Sequence, residues 1–314
     1  VVVFRQSLAD ATMATKVRRP LHAGSWYSDD RDELERQLAS FLASAQPGTL
    51  KTVAPSGTLK ALIGPHAGYS YSGKTAAYGY VDIDPAQVTK IFLLGPSHHV
   101  YLDGCALSSA TTYRTPVGDI EVDTATCAKL RESGHFQQMS LQVDEEEHSL
   151  EMHLPYIAHV MKGHPFTLVP IMVGAINAKS ERLYGSLLSE YFDAPGHLFI
   201  VSSDFCHWGA RFRYTFYDKS QGQIWNSIEK LDKMGMSLIE KKSAEDFREY
   251  LEEYENTICG RHPISVFLQV VNHSKTAETS EVKFVHYAQS SKCKSMSDSS
   301  VSYASAICFS SKSN

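Results

Sequence analysis

Six short, nearly continuous apolar runs constrain this chain more than any other feature. They lie at 59–64, 90–95, 166–173, 198–203, 282–287 and 301–309. Runs of that length without polar alternation suit strands buried on both faces. Between them come stretches with helical spacing of apolar residues, at 31–43, 151–161, 179–192, 218–240, 244–254 and 261–271. In the first of these, Leu34, Leu38, Phe41 and Leu42 share one face. The last carries Pro263 in its first turn, where a missing N–H costs nothing. This alternation predicts an α/β fold, a single domain with a largely parallel central sheet flanked by helices. Segment 46–58, with Pro47, Gly48, Pro55 and Gly57, reads as a surface loop. The chain begins at Val1, and Met13 followed by Ala14, Thr15 and Lys16 reads as a native start. Residues 1–12 are therefore expected to be a tail or upstream extension, with the domain spanning 13–314. The polar end, from Ser310 to Asn314, is expected to fray.

Charge and cysteine usage remove several function classes. With 30 basic and 35 acidic side chains, the net charge of −5 leaves no basic footprint for nucleic acid. No apolar stretch approaches the ~20 residues a membrane span requires. The six cysteines are far apart, with no CxxC pair, which argues against a zinc ribbon and for a reducing compartment. There is no glycine-rich phosphate loop and no G-x-S-x-G elbow, so no nucleotide cofactor is expected.

Three of the apolar runs end in the same way. Ala61 to Ala67 reads A-L-I-G-P-H-A, and Phe92 to His99 reads F-L-L-G-P-S-H-H. Gly-Pro stops a strand and turns the chain, so histidine is presented just past its carboxyl end, where open α/β sheets bind ligands. A third run leads into Asp204-Phe205-Cys206-His207-Trp208. His66, His98 or His99, and His207 should therefore meet at one rim. A lone histidine after a strand is usually a hydrogen-bonding loop residue; three in the same placement favour a site.

Cys259 is a fourth candidate, because it precedes a helix. A thiol at a helix N-terminus is expected to shift toward thiolate, with Arg261 and His262 assisting. Thiolate and imidazole together suit copper, iron or zinc. The run Asp144-Glu145-Glu146-Glu147-His148-Ser149-Leu150-Glu151-Met152-His153 is not H-E-x-x-H, and its two histidines fall on different helix faces. Its acidic residues read as complements to a helix dipole, with Ser149 as a cap and one or two members lining the pocket. Trp26, Tyr27, Tyr69 and Tyr71 offer aromatic walls. Arg211 and Arg213 near the rim could hold a carboxylate or phosphate.

Taken together, P-H-A-G-Y, G-P-S-H-H, D-E-E-E-H-S-L-E-M-H-L-P-Y, S-S-D-F-C-H-W-G, L-D-K-M-G-M and I-C-G-R-H-P resemble the Memo family, from about His22 to Cys308. The resemblance implies a fold like the class III extradiol dioxygenases, which use non-haem iron. It implies metal ligands at His66, His98 and Cys259, an acid/base pair of His207 and Asp204, and a copper or iron cofactor. Cysteine replaces the carboxylate of the dioxygenase triad, which argues against ring cleavage. The implied role is that of a metal-binding redox protein of the cytoplasm, and also of the nucleus, acting in cell motility and redox signalling. Two alternatives accompany it. One is an adaptor that takes phosphotyrosine receptor peptides between Trp26, Tyr71, His66, His98, His207 and Cys259, with cytoskeletal or redox signalling partners. The other is an active dioxygenase.

Overall fold

The computed structural model describes residues 15–45 and 57–310. The expected tail at 1–12, the loop at 46–58 save its last two residues, and residues 311–314 lie outside them. In chain order the strands are β1 (Val17–Arg18), β2 (Thr58–Gly64), β3 (Lys90–Pro96), β4 (Cys105–Leu107), β5 (Thr112–Tyr113) and β6 (Ile120–Glu121). They continue with β7 (Phe136–Gln138), β8 (Thr167–Val173), β9 (His197–Ser202), β10 (His207–Trp208), β11 (Ser280–Gln289) and β12 (Ser300–Ser310). The helices are α1 (Arg31–Ser44), α2 (Tyr69–Tyr80), α3 (Thr124–Glu132), α4 (Leu141–Glu146) and α5 (His148–Glu151). After them come α6 (Leu154–Val160), α7 (Ala178–Asp193), α8 (Ile224–Glu240), α9 (Ala244–Tyr254) and α10 (Arg261–His273).

Among the described residues the main sheet has nine strands, in the order β10-β12-β2-β9-β3-β8-β4-β7, with β11 paired to β12. The expected parallel core is β2, β9, β3 and β8. These strands are the apolar runs: residues 91–94 and 198–201 are wholly buried. Each such Leu, Ile, Val or Phe contributes about 1.5–3 kcal/mol of burial free energy. The flanks differ from the expectation. β12 runs antiparallel to β2, β11 and β10, and β4 runs antiparallel to β8, so the whole sheet is mixed. The cause is connectivity: β11 and β12 form a hairpin, which needs no crossover helix. A smaller sheet, β1-β5-β6, stands apart. Helix α2 packs over β12 and β2, whereas α7 and α10 pack on each other and on β9.

Two helical readings need correction. The stretch 151–161 is not one helix: α5 ends at Glu151 and α6 restarts at Leu154, with Pro155 in its first turn. The stretch 218–240 starts late, because Gly222, at φ +76°, ends a 3-10 turn before α8 begins at Ile224.

Candidate metal centre

The parallel strands deliver the three histidines to one end of the sheet. His66 follows β2 by two residues and His98 follows β3 by two. His207 opens β10, which pairs with the start of β12. The loop before α10 then brings in Cys259. One donor atom each from His66, His98 and Cys259 lies within 4.8 Å of the others.

Hydrogen bonds fix the tautomers. Ser202 Oγ donates to the Ser149 carbonyl at 2.7 Å, so at 2.6 Å it accepts from His66 Nδ1–H. His66 Nε2 is left with its lone pair, 3.2 Å from Cys259 Sγ. His98 Nδ1–H donates to Glu147 Oε1 at 2.8 Å, and the His98 backbone N–H donates to Oε2 at 2.7 Å. Its Nε2 is free as well. A carboxylate behind an imidazole is the arrangement that orients a ligating histidine. His207 Nδ1 faces the Thr257 carbonyl at 3.1 Å, and its backbone N–H donates to Thr257 Oγ1 at 2.7 Å. Ligands about 2.0–2.3 Å from one tetrahedral ion sit roughly 3.3–3.8 Å apart, close to the 3.2 Å between His66 Nε2 and Cys259 Sγ, and two imidazoles with a thiol are a donor set for a borderline or soft ion.

Electrostatics favour a neutral His66 and an ionised Glu147. Burial, then the neighbouring histidines, hold His66 well below the usual imidazole range. Burial alone would raise Glu147, but His98 and His148 carry it down to about 2. Burial pushes the Asp204 carboxyl up, against the pull of His207 and the N–H groups of His66 and Ala67. For Cys259 the expectation of a thiolate is corrected. Burial, reinforced by Asp204, pushes the thiol up, and the Asp204 and Gly260 N–H groups only partly offset it. Arg261 and His262 do not assist. His262 pairs with Glu181 at 2.8 Å, and both line a separate cleft.

The site opens into a cleft of about 650 Å³ lined by Trp26, Tyr71, His148, Asp204, Arg211 and Tyr303, among others. Tyr27 and Tyr69 are core residues, 5% and 3% exposed, and are not walls. Arg213 does not line the cleft. His99 stays outside the ligand group, edge-on to His148.

Glu147 and His148 are the site-lining positions that the residue pattern left unresolved. The His148 ring stacks on His98 at 4.4 Å and lies 4.6 Å from Trp26. Burial lowers it to about 3, which keeps it neutral. His98, Glu147 and His148 also cluster closely enough to suggest a second ligand set. Their geometry says support instead, because the Glu147 oxygens already accept from His98 N, His98 Nδ1 and Ser149 N. Ser149 does not cap α5; Glu147 does. The signal available in the sequence was the acidic run itself, placed immediately before histidine.

Fold and site thus define an α/β protein with a two-histidine, one-cysteine candidate metal centre at the carboxyl ends of its parallel strands. A family profile described as Memo-like protein matches residues 18–307, and the chain belongs to that family. It is 51% identical over 290 residues to Protein MEMO1 of Danio rerio, covering 91% of this chain and 95% of that one. Protein MEMO1 of Homo sapiens is 50% identical over the same length and coverage. The crystal structure of an uncharacterized Escherichia coli K12 protein overlays with a TM-score of 0.46 at 13% identity, covering 77% of this chain and 98% of that chain.

Proposed function

We propose that this chain is a metal-binding redox protein in which His66, His98 and Cys259 hold a copper or iron ion. The observation that carries the reading is the pinning of both imidazoles through Nδ1, which leaves two Nε2 lone pairs beside one thiol. A bound ion of this kind supplies one-electron chemistry. His207 and Asp204 act on protons. His207 Nε2 is the free nitrogen that gives or takes one from a ligand in the cleft, and Asp204 accepts the His66 N–H at 2.9 Å and holds that loop in place. The cell-motility and redox-signalling role, the dioxygenase kinship, and residence in cytoplasm and nucleus rest on the family resemblance. No helix among the described residues is long and apolar enough to cross a membrane. The test is metal analysis of protein purified without chelator, alongside Cys259→Ser. Stoichiometric copper or iron in the wild type, lost in the variant, is the expected result. Equal uptake by both would sink it. With Fe(II) loaded and catechol supplied, no oxygen consumption is expected.

A second reading has its own support. Trp26 and Tyr71 are 37% and 66% exposed beside the histidines, and Arg211 lines the same cleft. That combination suits a phosphotyrosine peptide, with an aromatic wall for the ring and a cation for the phosphate. Calorimetry with phosphorylated and plain peptides decides it: equal or absent heat from both counts against an adaptor.

A further inference from the structure

Arg18 is wholly buried, yet it belongs to a two-residue strand far in sequence from every candidate ligand. All five of its N–H groups have an acceptor. Nε donates to Asp144 Oδ1 at 3.1 Å, and Nη1 donates to Glu151 Oε2 at 2.8 Å and to the Arg19 carbonyl at 3.1 Å. Nη2 donates to the carbonyls of Asp144 at 2.9 Å and Glu147 at 3.0 Å. Those two carbonyls stand at the end of α4, where a helix leaves acceptors short of partners, although Asp144 O also takes the Glu147 N–H at 3.3 Å. Glu147 departs the helix there, at φ −82° and ψ 118°, and its carboxylate turns to His98 and to Ser149 N–H.

The same guanidinium also bonds the carboxylate that ties down the Trp26 turn. Glu151 Oε1 accepts from His22 N–H and Tyr27 OH, both at 2.8 Å, and Oε2 lies 3.0 Å from His22 Nδ1. His22 and Tyr27 bracket the turn that carries Trp26, whose N–H donates to the His22 carbonyl at 2.9 Å. One rigid fork therefore sets where Glu147 holds His98 and where Trp26 faces His148.

We infer that Arg18 is a positioning residue for the candidate metal centre, acting through Glu147 on His98 and through Glu151 on the Trp26 wall. This rests on the metal-binding reading above. A lysine would keep the charge but not the planar fork that spans two carboxylates and three carbonyls at once. A purely electrostatic role would tolerate Arg18→Lys; a positioning role would not.

The test uses Co(II) alone as probe, with its thiolate charge-transfer and d–d bands. Relative to wild type, Arg18→Lys should bind Co(II) about tenfold more weakly, the scale seen for partners behind metal ligands, with shifted d–d bands. Glu147→Gln should weaken binding similarly, and the double variant should be no weaker than Glu147→Gln alone, because both act on one path. Nitrogen-15 NMR of the metal-free protein supplies a second readout. The His98 Nδ1–H should exchange slowly in the wild type and faster in Arg18→Lys. A folded Arg18→Lys with unchanged affinity, bands and exchange overturns the inference, and so does additivity in the double variant. If the wild type takes up no Co(II), the metal reading fails and the exchange measurement alone decides Arg18. If Arg18→Lys does not fold, Asp144→Asn is measured in its place, and unchanged His98 exchange there overturns the inference.

Discussion

Ser202 Oγ lies 2.6 Å from His66 Nδ1 and donates its own O–H to the Ser149 carbonyl, so the last residue of β9 dictates the tautomer of a histidine delivered by β2. Two parallel strands are in register side by side, and their ends fit together as donor and support. This relationship makes the site sensitive to residues that do not face a ligand.

Ser202→Ala removes that acceptor. His66 Nδ1–H and the Ser149 carbonyl are then buried without partners, at a cost of about 1–3 kcal/mol each. The expected result is a lower thermal midpoint and roughly tenfold weaker metal binding, as for other partners behind a metal ligand. Differential scanning calorimetry and chelator competition measure the two effects. Wild-type affinity in a folded Ser202→Ala protein would contradict the tautomer assignment.

Gly260 is where the Cys259 loop passes closest to β9. A Cβ there would meet Ser202 O and Ser203 Cβ, each at 2.4 Å. Gly260→Ala should therefore push the loop away from the strand end, destabilising the fold by about 1–3 kcal/mol, the usual cost of overpacking. Metal uptake should fall with it, because Cys259 is the next residue. Urea titration and metal analysis read both, and undiminished uptake would show that the loop adapts.

His207→Ala should leave metal uptake unchanged, because the donor cluster comprises His66, His98 and Cys259 without His207. Any proton-dependent reaction of a ligand in the cleft should slow. Metal analysis of the variant separates the roles: loss of the ion would make His207 a ligand.

His153 gives a pH prediction away from the donors. It is 1% exposed, its Nδ1 lies 2.7 Å from Tyr80 OH, and its Nε2 has no partner. Burial lowers it to about 3, against 6.5 for an ordinary histidine. Below pH 6.5 the unfolded chain takes up a proton that the folded chain refuses until about pH 3. Stability is thus fully present above 6.5 and is lost as pH falls, by about 1.4 kcal/mol per unit for one proton. In His153→Gln, urea titrations between pH 4 and 6.5 should show a slope smaller by that amount. An identical slope would mean that His153 titrates in the folded protein.

The parallel core was legible because strands buried on both faces are written as unbroken apolar runs, and those at 59–64, 90–95 and 198–203 lie in β2, β3 and β9, the last stopping at Ser202. The antiparallel flank was harder to read. Residues 282–287 and 301–309 looked the same as the others, and only the hairpin between β11 and β12 sets their direction. His66 and His98 do lie just past their strands, but only β2 ends at its Gly-Pro; β3 stays paired to β8 through Gly95 and Pro96. The aromatic walls were half legible, since nothing local distinguishes Tyr71, which faces the cleft, from Tyr69, which packs in the core.

What the sequence by itself determined is the set of buried strands and the residues that follow them, because a strand covered on both faces must be written as an unbroken apolar run. What only the tertiary structure decided is which nitrogen each histidine offers, the upward push of burial on the Cys259 thiol, and the reach of Arg18 across to Glu147 and Glu151. Those depend on partners 126 or more positions away for Arg18 and 136 away for His66. Desolvation and hydrogen-bond direction exist only once those partners are packed together.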